Sequence, residues 1–151
     1  RVSRLKAQTI AAGAAADDIV IAADTIVVID GRELGKPRSE QEALDMLRLL
    51  YGRTHEVVTV LSVCKGPRIE SEAVVTKVTF RTLCEEELRA YVRTGEPMDK
   101  AGSYGIQGYG AMFVSRIEGD YFSVMGLPLC PLCRMLRAFG VSILDVQEAQ
   151  A

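Results

Sequence analysis

The stretch "DDIVIAADTIVVID", residues 17 to 30, decides how the rest of the chain is read. It is a β-branched, apolar run, the composition that favours strand, and it is interrupted by Ala23 and Asp24. The run therefore reads as strand, break, strand. Upstream, "RVSRLKAQTIAA", residues 1 to 12, is helix-prone and stops at Gly13. Downstream, "DG" at 30 and 31 is a hairpin-type turn signal. "ELGKPRS" then leads to Ser39, which with Glu42 makes a capping box for a helix running to about Tyr51. Ala43, Leu47, Leu50 and Tyr51 form the buried stripe of that helix.

Two strand patterns follow, 54 to 64 and 69 to 81, joined by "KGP" as a hairpin, with Val74, Thr76, Val78 and Phe80 sharing one face. Thr82 and Glu85 cap a further helix, "CEEELRAYVRTG". After a glycine-rich loop come a strand, "AMFVSRIEG", and a turn-rich segment, "GDYFSVMG". A helix, "LPLCPLCRMLRAFG", and a last strand, "VSILDV", close the chain. Helices and strands alternate loosely with hairpins between them. The expected fold is α/β (α+β), a mixed twisted β-sheet with flanking helices and a cleft, in a single domain over residues 1–151.

At 151 residues and 48% hydrophobic composition, the chain can bury a core of its own. The net charge of -2 supplies no footprint for a polyanion, so nucleic acid is not an expected partner, while a local basic pocket for a small phosphate ligand stays open. No apolar run reaches the length of a membrane span, and the chain is expected to be soluble and cytoplasmic. Cys64, Cys84, Cys130 and Cys133 contain one close pair, "CPLC", in a helical stretch. A structural zinc site shows two paired clusters or nearby histidines, so buried free thiols are expected.

The segment "GEPMDKAGSYGIQG", residues 95 to 108, has neither helical nor strand period, and its glycines mark backbone that bends sharply or is approached closely. Met98, Tyr104 and Ile106 argue against disorder, which leaves a functional loop or an ordinary turn. Asp24 stands where a carboxylate is costly unless paired, hydrogen-bonded, metal-bound or capping a turn. Thr25 follows it and, in a regular strand, faces the other way, so both serve one site only at a strand end or bulge. Lys36, between Gly35 and Pro37, presents a point charge suited to phosphate. Lys6 and Lys100 are further cations, and Asp99 and Glu96 are hard-oxygen ligands of the kind Mg²⁺ uses together with phosphates, or else solvated surface charges. His55, the only histidine, has no implied nucleophile beside it and reads as structural.

Taken in order, "ADTIVVIDG", "LGKP", "EALDML", "HEVVT", "GEPMDKAGSYGIQG" and "GLPL" resemble the Maf family, nucleoside triphosphate pyrophosphatases, from Lys6 to about Gly140. "ADT" rather than "SDQ" is similar to the branch acting on dTTP and UTP, as opposed to 7-methyl-GTP. The resemblance implies Asp24 as proton acceptor for an attacking water, Thr25 and Gln107 near the base, and Lys6 and Lys36 toward phosphate. It also implies cleavage between the α and β phosphates with a divalent metal, Mg²⁺ or Mn²⁺. A nucleoside triphosphate is the expected partner, and a homodimer is kept open.

Two departures from the family stand out. Its chains begin with a strand and an "S.SPRR" loop, which this sequence lacks, so the chain is expected to be truncated relative to the family and weak or inactive in turnover. Val60 stands where the family has glycine in "VVTG", a change a strand accommodates. A non-catalytic nucleotide- or partner-binding module is the alternative reading. An inosine-triphosphate type purine pyrophosphatase is disfavoured by "ADT" and "IQG".

Overall fold

The computed structural model describes residues 2–145. Helix α1 (Val2–Ala11) precedes strand β1 (Ile19–Ile29), which turns at Asp30 and Gly31 into β2 (Arg32–Leu34). Helix α2 (Glu40–Leu50), strands β3 (Thr54–Lys65) and β4 (Arg68–Phe80), and helix α3 (Glu85–Arg93) follow. The glycine-rich stretch winds through short 3₁₀ turns at Glu96–Asp99, Ala101–Ser103 and Tyr109–Phe113. The chain then forms β5 (Val114–Glu118), α4 (Tyr121–Met125) and α5 (Leu129–Ala138).

The strands form one sheet in the order β2-β1-β3-β4-β5. The α/β expectation stands, with flanking helices on both faces. All four ladders among the described residues are antiparallel, so the parallel pair that a mixed sheet calls for is not among them. β1 is a single strand: its register against β3 runs unbroken from Ile19 to Val28, through Ala23 and Asp24. The break read at those two residues is therefore absent. Strand propensity reflects fit to a half-buried pleat, and a carboxylate is tolerated wherever the pleat is wet.

Strand alternation divides the core into layers. Ala7 of α1 packs on Val20 and Cys64, on one face of the sheet. The opposite face carries Val27, Val57, Val78 and Phe80 against α2 and α3, and Leu61 and Val63 against Leu132, Met135 and Leu136 of α5. In α2, Ser39 Oγ accepts the Glu42 N–H at 3.1 Å, but the Glu42 carboxylate turns to the Arg38 N–H at 2.8 Å, so only half of the capping box forms. Its buried stripe is Ala43, Leu44, Leu47 and Leu50, and Tyr51 is exposed beyond the helix end.

Three further readings are corrected. Helix α3 starts two residues later than a cap at Thr82 implies: Cys84 is its N-cap, and the Glu87 carboxylate accepts the Cys84 N–H at 3.0 Å. Residues 141–145 form turns rather than a strand, because Val141 packs onto the α5 cluster while Ile143 and Leu144 stay exposed; Val146 lies outside the described residues. Of the four free thiols only Cys64 is buried. No helix among the described residues is long and apolar enough to cross a membrane.

Candidate active site

The polar residues gather at the outer edge of β1. Strand β2 is three residues long and pairs only with Val27, Val28 and Ile29, so among the described residues the edge from 19 to 26 has no partner strand. Asp24 and Thr25 do project to opposite faces there. They nevertheless line one cavity of about 250 Å³, since the cavity wraps the uncovered edge, and neither a strand end nor a bulge is needed. On the α1 face, Lys6 Nζ donates to Asp24 Oδ1 at 2.7 Å, with the Asp24 side chain 29% exposed. On the other face, Thr25 Oγ1 lies 2.9 Å from Thr59 Oγ1.

Lys36, Asp99 and Lys100 line the same cavity. The Gly102 N–H donates to the Gly35 carbonyl at 3.1 Å, tying the glycine-rich stretch to the loop that carries Lys36. Gly102 has φ +70°, and a Cβ there would lie 2.7 Å from Val27, so both conformation and space demand glycine. Lys100 Nζ donates to Asp99 Oδ1 at 3.0 Å, and that bond holds the Asp99 carboxyl below its usual range.

A second cavity of about 380 Å³ is lined by Gln107 and Glu96 and shares Lys100, Tyr104, Ile106, Val124 and Met125 with the first. The two are compartments of one cleft. Gln107 is exposed on its wall, well placed for a ligand group longer than the first compartment holds. Glu96 organises the loop. Its carboxylate accepts from Tyr91 Oη at 2.7 Å, the Tyr109 N–H at 2.9 Å and the Gly110 N–H at 3.0 Å. Burial pushes the Glu96 carboxyl up, but the bonds from Tyr91, Gly110 and Tyr109 outweigh it and leave it lowered. A Cβ on Gly108 would collide with this carboxylate, which accounts for a second glycine.

Sequence reasoning named Asp24, Thr25, Lys36, Asp99, Lys100, Gln107 and Glu96, and the cleft gathers all seven, with Lys6 on the Asp24 carboxylate. It missed Tyr104, Val124 and Met125, which line both compartments, and the buried Thr59 and Ser123 behind Thr25. A threonine on the apolar face of "HEVVTV" was the available signal for Thr59; the segment "GDYFSVMG" offered none beyond its turns. His55 is 1% exposed, with Nε2 2.8 Å from Tyr104 Oη and Nδ1 unpartnered; burial drives its pKa down to about 4.

The profile of the family described as "Maf-like protein" matches residues 1–139. The chain belongs to this Maf family. Among curated relatives, the dTTP/UTP pyrophosphatase of Bacillus pumilus (strain SAFR-032) is 55% identical over 124 residues, 82% of this chain and 66% of its own length. The dTTP/UTP pyrophosphatase of Carboxydothermus hydrogenoformans is 50% identical over 141 residues, covering 92% of this chain and 75% of that protein. That of Moorella thermoacetica is 52% identical over 141 residues, 91% of this chain and 72% of that protein. The chain thus spans from just under two thirds to three quarters of the length of these Maf relatives.

Proposed function

We propose that this Maf chain hydrolyses dTTP, UTP and nucleotides of that type to the nucleoside monophosphate and pyrophosphate. The observation that carries the reading is one cavity whose lining holds Asp24, engaged by Lys6, together with Lys36 and Lys100, next to a compartment bearing Gln107. The names of the relatives supply the substrate class.

Phosphoryl and nucleotidyl transfer depends mainly on positioning and charge neutralisation. Lys36 and Lys100 offset the charge of the triphosphate, and Lys6 holds Asp24 by Oδ1, leaving Oδ2 to take a proton. A water oxygen bonds to the α phosphorus and passes its proton to Asp24. The bond from the α phosphorus to the α–β bridging oxygen breaks, and pyrophosphate leaves with that oxygen. Gln107 offers an amide oxygen and an NH₂ that complement the N3–H and O4 of uracil and thymine.

Asp99 lines the cavity beside Lys36 and Lys100 as a hard-oxygen donor, and one carboxylate together with substrate phosphates is a set that Mg²⁺ takes, so it fits a divalent ion. Mg²⁺ or Mn²⁺ would supply further neutralisation of the phosphates. Glu96, whose oxygens take three protein donors, serves such a site by holding the loop that carries Asp99. The reading places the protein in the cytoplasm, where nucleoside triphosphates are made and used.

Pyrophosphate release from dTTP, UTP, CTP, ATP and GTP, with Mg²⁺, Mn²⁺ or chelator, tests this. The expected result is fastest release from dTTP and UTP, dependent on the divalent ion. Equal rates for all five, or none for any, contradict it.

A further inference from the structure

Behind Thr25 lies a hydrogen-bond chain whose direction is fixed by its far end. Thr59 is fully buried on β3, directly across from Thr25. Its hydroxyl donates to the Ser123 carbonyl at 2.7 Å, and a carbonyl can only accept. That carbonyl also accepts the Gly126 N–H at 2.9 Å, and Ser123 Oγ donates to Asp120 Oδ2 at 2.9 Å, so the acceptor is held by the ends of α4. A hydroxyl has one proton. Thr59 has spent its own on Ser123, so in the 2.9 Å contact with Thr25 it must accept, and Thr25 must donate. With its proton directed into the protein, Thr25 keeps only lone pairs for the cavity that it lines with Gly126.

We propose that Thr59 is a positioning residue that makes Thr25 an acceptor-only group, and that Thr25 thereby selects a hydrogen-bond donor on the nucleoside half of the substrate. The proposal rests on the nucleotide reading of the cleft. Two donors are common to dTTP and UTP: the 3′-hydroxyl of the sugar and the imide N3–H of the base, the second of which Thr25 would take in place of the Gln107 amide oxygen. Both present the same chemistry to a lone pair. In Thr59→Val the shape is kept and the acceptor for the Thr25 proton is gone, so Thr25 is free to turn that proton into the cavity. In Thr59→Ser the chain is kept.

The test is calorimetric binding of α,β-imido-UTP to the full chain, alongside its N3-methyl and 3′-deoxy counterparts, none of which can be cleaved between the α and β phosphates. For wild type and Thr59→Ser, removing one of the two donors should weaken binding roughly five- to tenfold, and that analogue identifies the donor read. In Thr59→Val the same removal should cost less than about twofold. Thr25→Val, with no buried hydroxyl altered, should show the same loss of discrimination and covers the case in which Thr59→Val does not fold. The proposal is overturned if Thr59→Val discriminates as wild type does, if Thr59→Ser behaves like Thr59→Val, or if neither analogue binds more weakly to wild type. Binding without pyrophosphate release defeats the catalytic reading alone, and the affinity ratios still decide this one. No binding by wild type overturns both.

Discussion

Gln107 is exposed on the cleft wall, and Asp24 is half-buried at its other end. Replacing Gln107 by glutamate exchanges an NH₂ for a second acceptor, which would oppose O4 of uracil while suiting the N1 and N2 donors of guanine. The ratio of kcat/KM for UTP over GTP in Gln107→Glu is therefore expected to fall by the equivalent of about 1–3 kcal/mol, and an unchanged ratio removes Gln107 from base reading. The charged residues of the cleft were legible because a lone Asp24 in an apolar run and a lysine between Gly35 and Pro37 are conspicuous residue by residue. Thr59 and Ser123 were not. Their part depends on a contact across two strands and on a carbonyl from a third segment, and neither leaves a mark in local composition.

At the level of elements, the glycine-rich stretch is braced by a tripod of hydrogen bonds at the Glu96 carboxylate, from Tyr91, Tyr109 and Gly110. A methyl on Gly108 would displace that carboxylate. Gly108→Ala should lose hydrogen bonds at a charged acceptor, lowering stability by about 1–3 kcal/mol and kcat/KM with it. Thermal unfolding and pyrophosphate release check both, and wild-type values for the two would show that the tripod does not hold the loop. β1 teaches a related point about reading elements. In sequence Asp24 reads as a break because a carboxylate is costly inside a sheet, yet the short β2 leaves its edge open and Lys6 reaches it from α1. The short range of a strand's partner decides whether a charge fits, and that range is a tertiary property. The hairpin of β3 and β4 needed no such knowledge and was legible from its alternation and turn.

For the molecule as a whole, the buried His55 links the aromatic core to acid stability. Its imidazole, ordinarily titrating at 6.5, is pulled to about 4 by burial, so it is neutral in the fold. Between those values the unfolded chain binds a proton that the folded chain does not. The contribution is fully present above pH 6.5 and is lost as pH falls toward 4, amounting to about 3 kcal/mol across the window. Urea unfolding at pH 7.5, 6 and 5 should show this decline, and His55→Gln should flatten it; an equal slope in the variant assigns the acid sensitivity elsewhere.

With α1 on one side of the sheet and the glycine-rich stretch and α4 on the other, the cleft lies along the uncovered edge of β1. Everything proposed for its chemistry turns on Asp24 as the acceptor of the water's proton. The most direct test is pyrophosphate release from UTP by Asp24→Asn beside the parent chain, with nucleotide affinity measured in parallel. Turnover should fall by roughly 10² to 10⁴ while binding is retained, since asparagine keeps the shape and cannot take the proton. Turnover equal to the parent's would contradict the account.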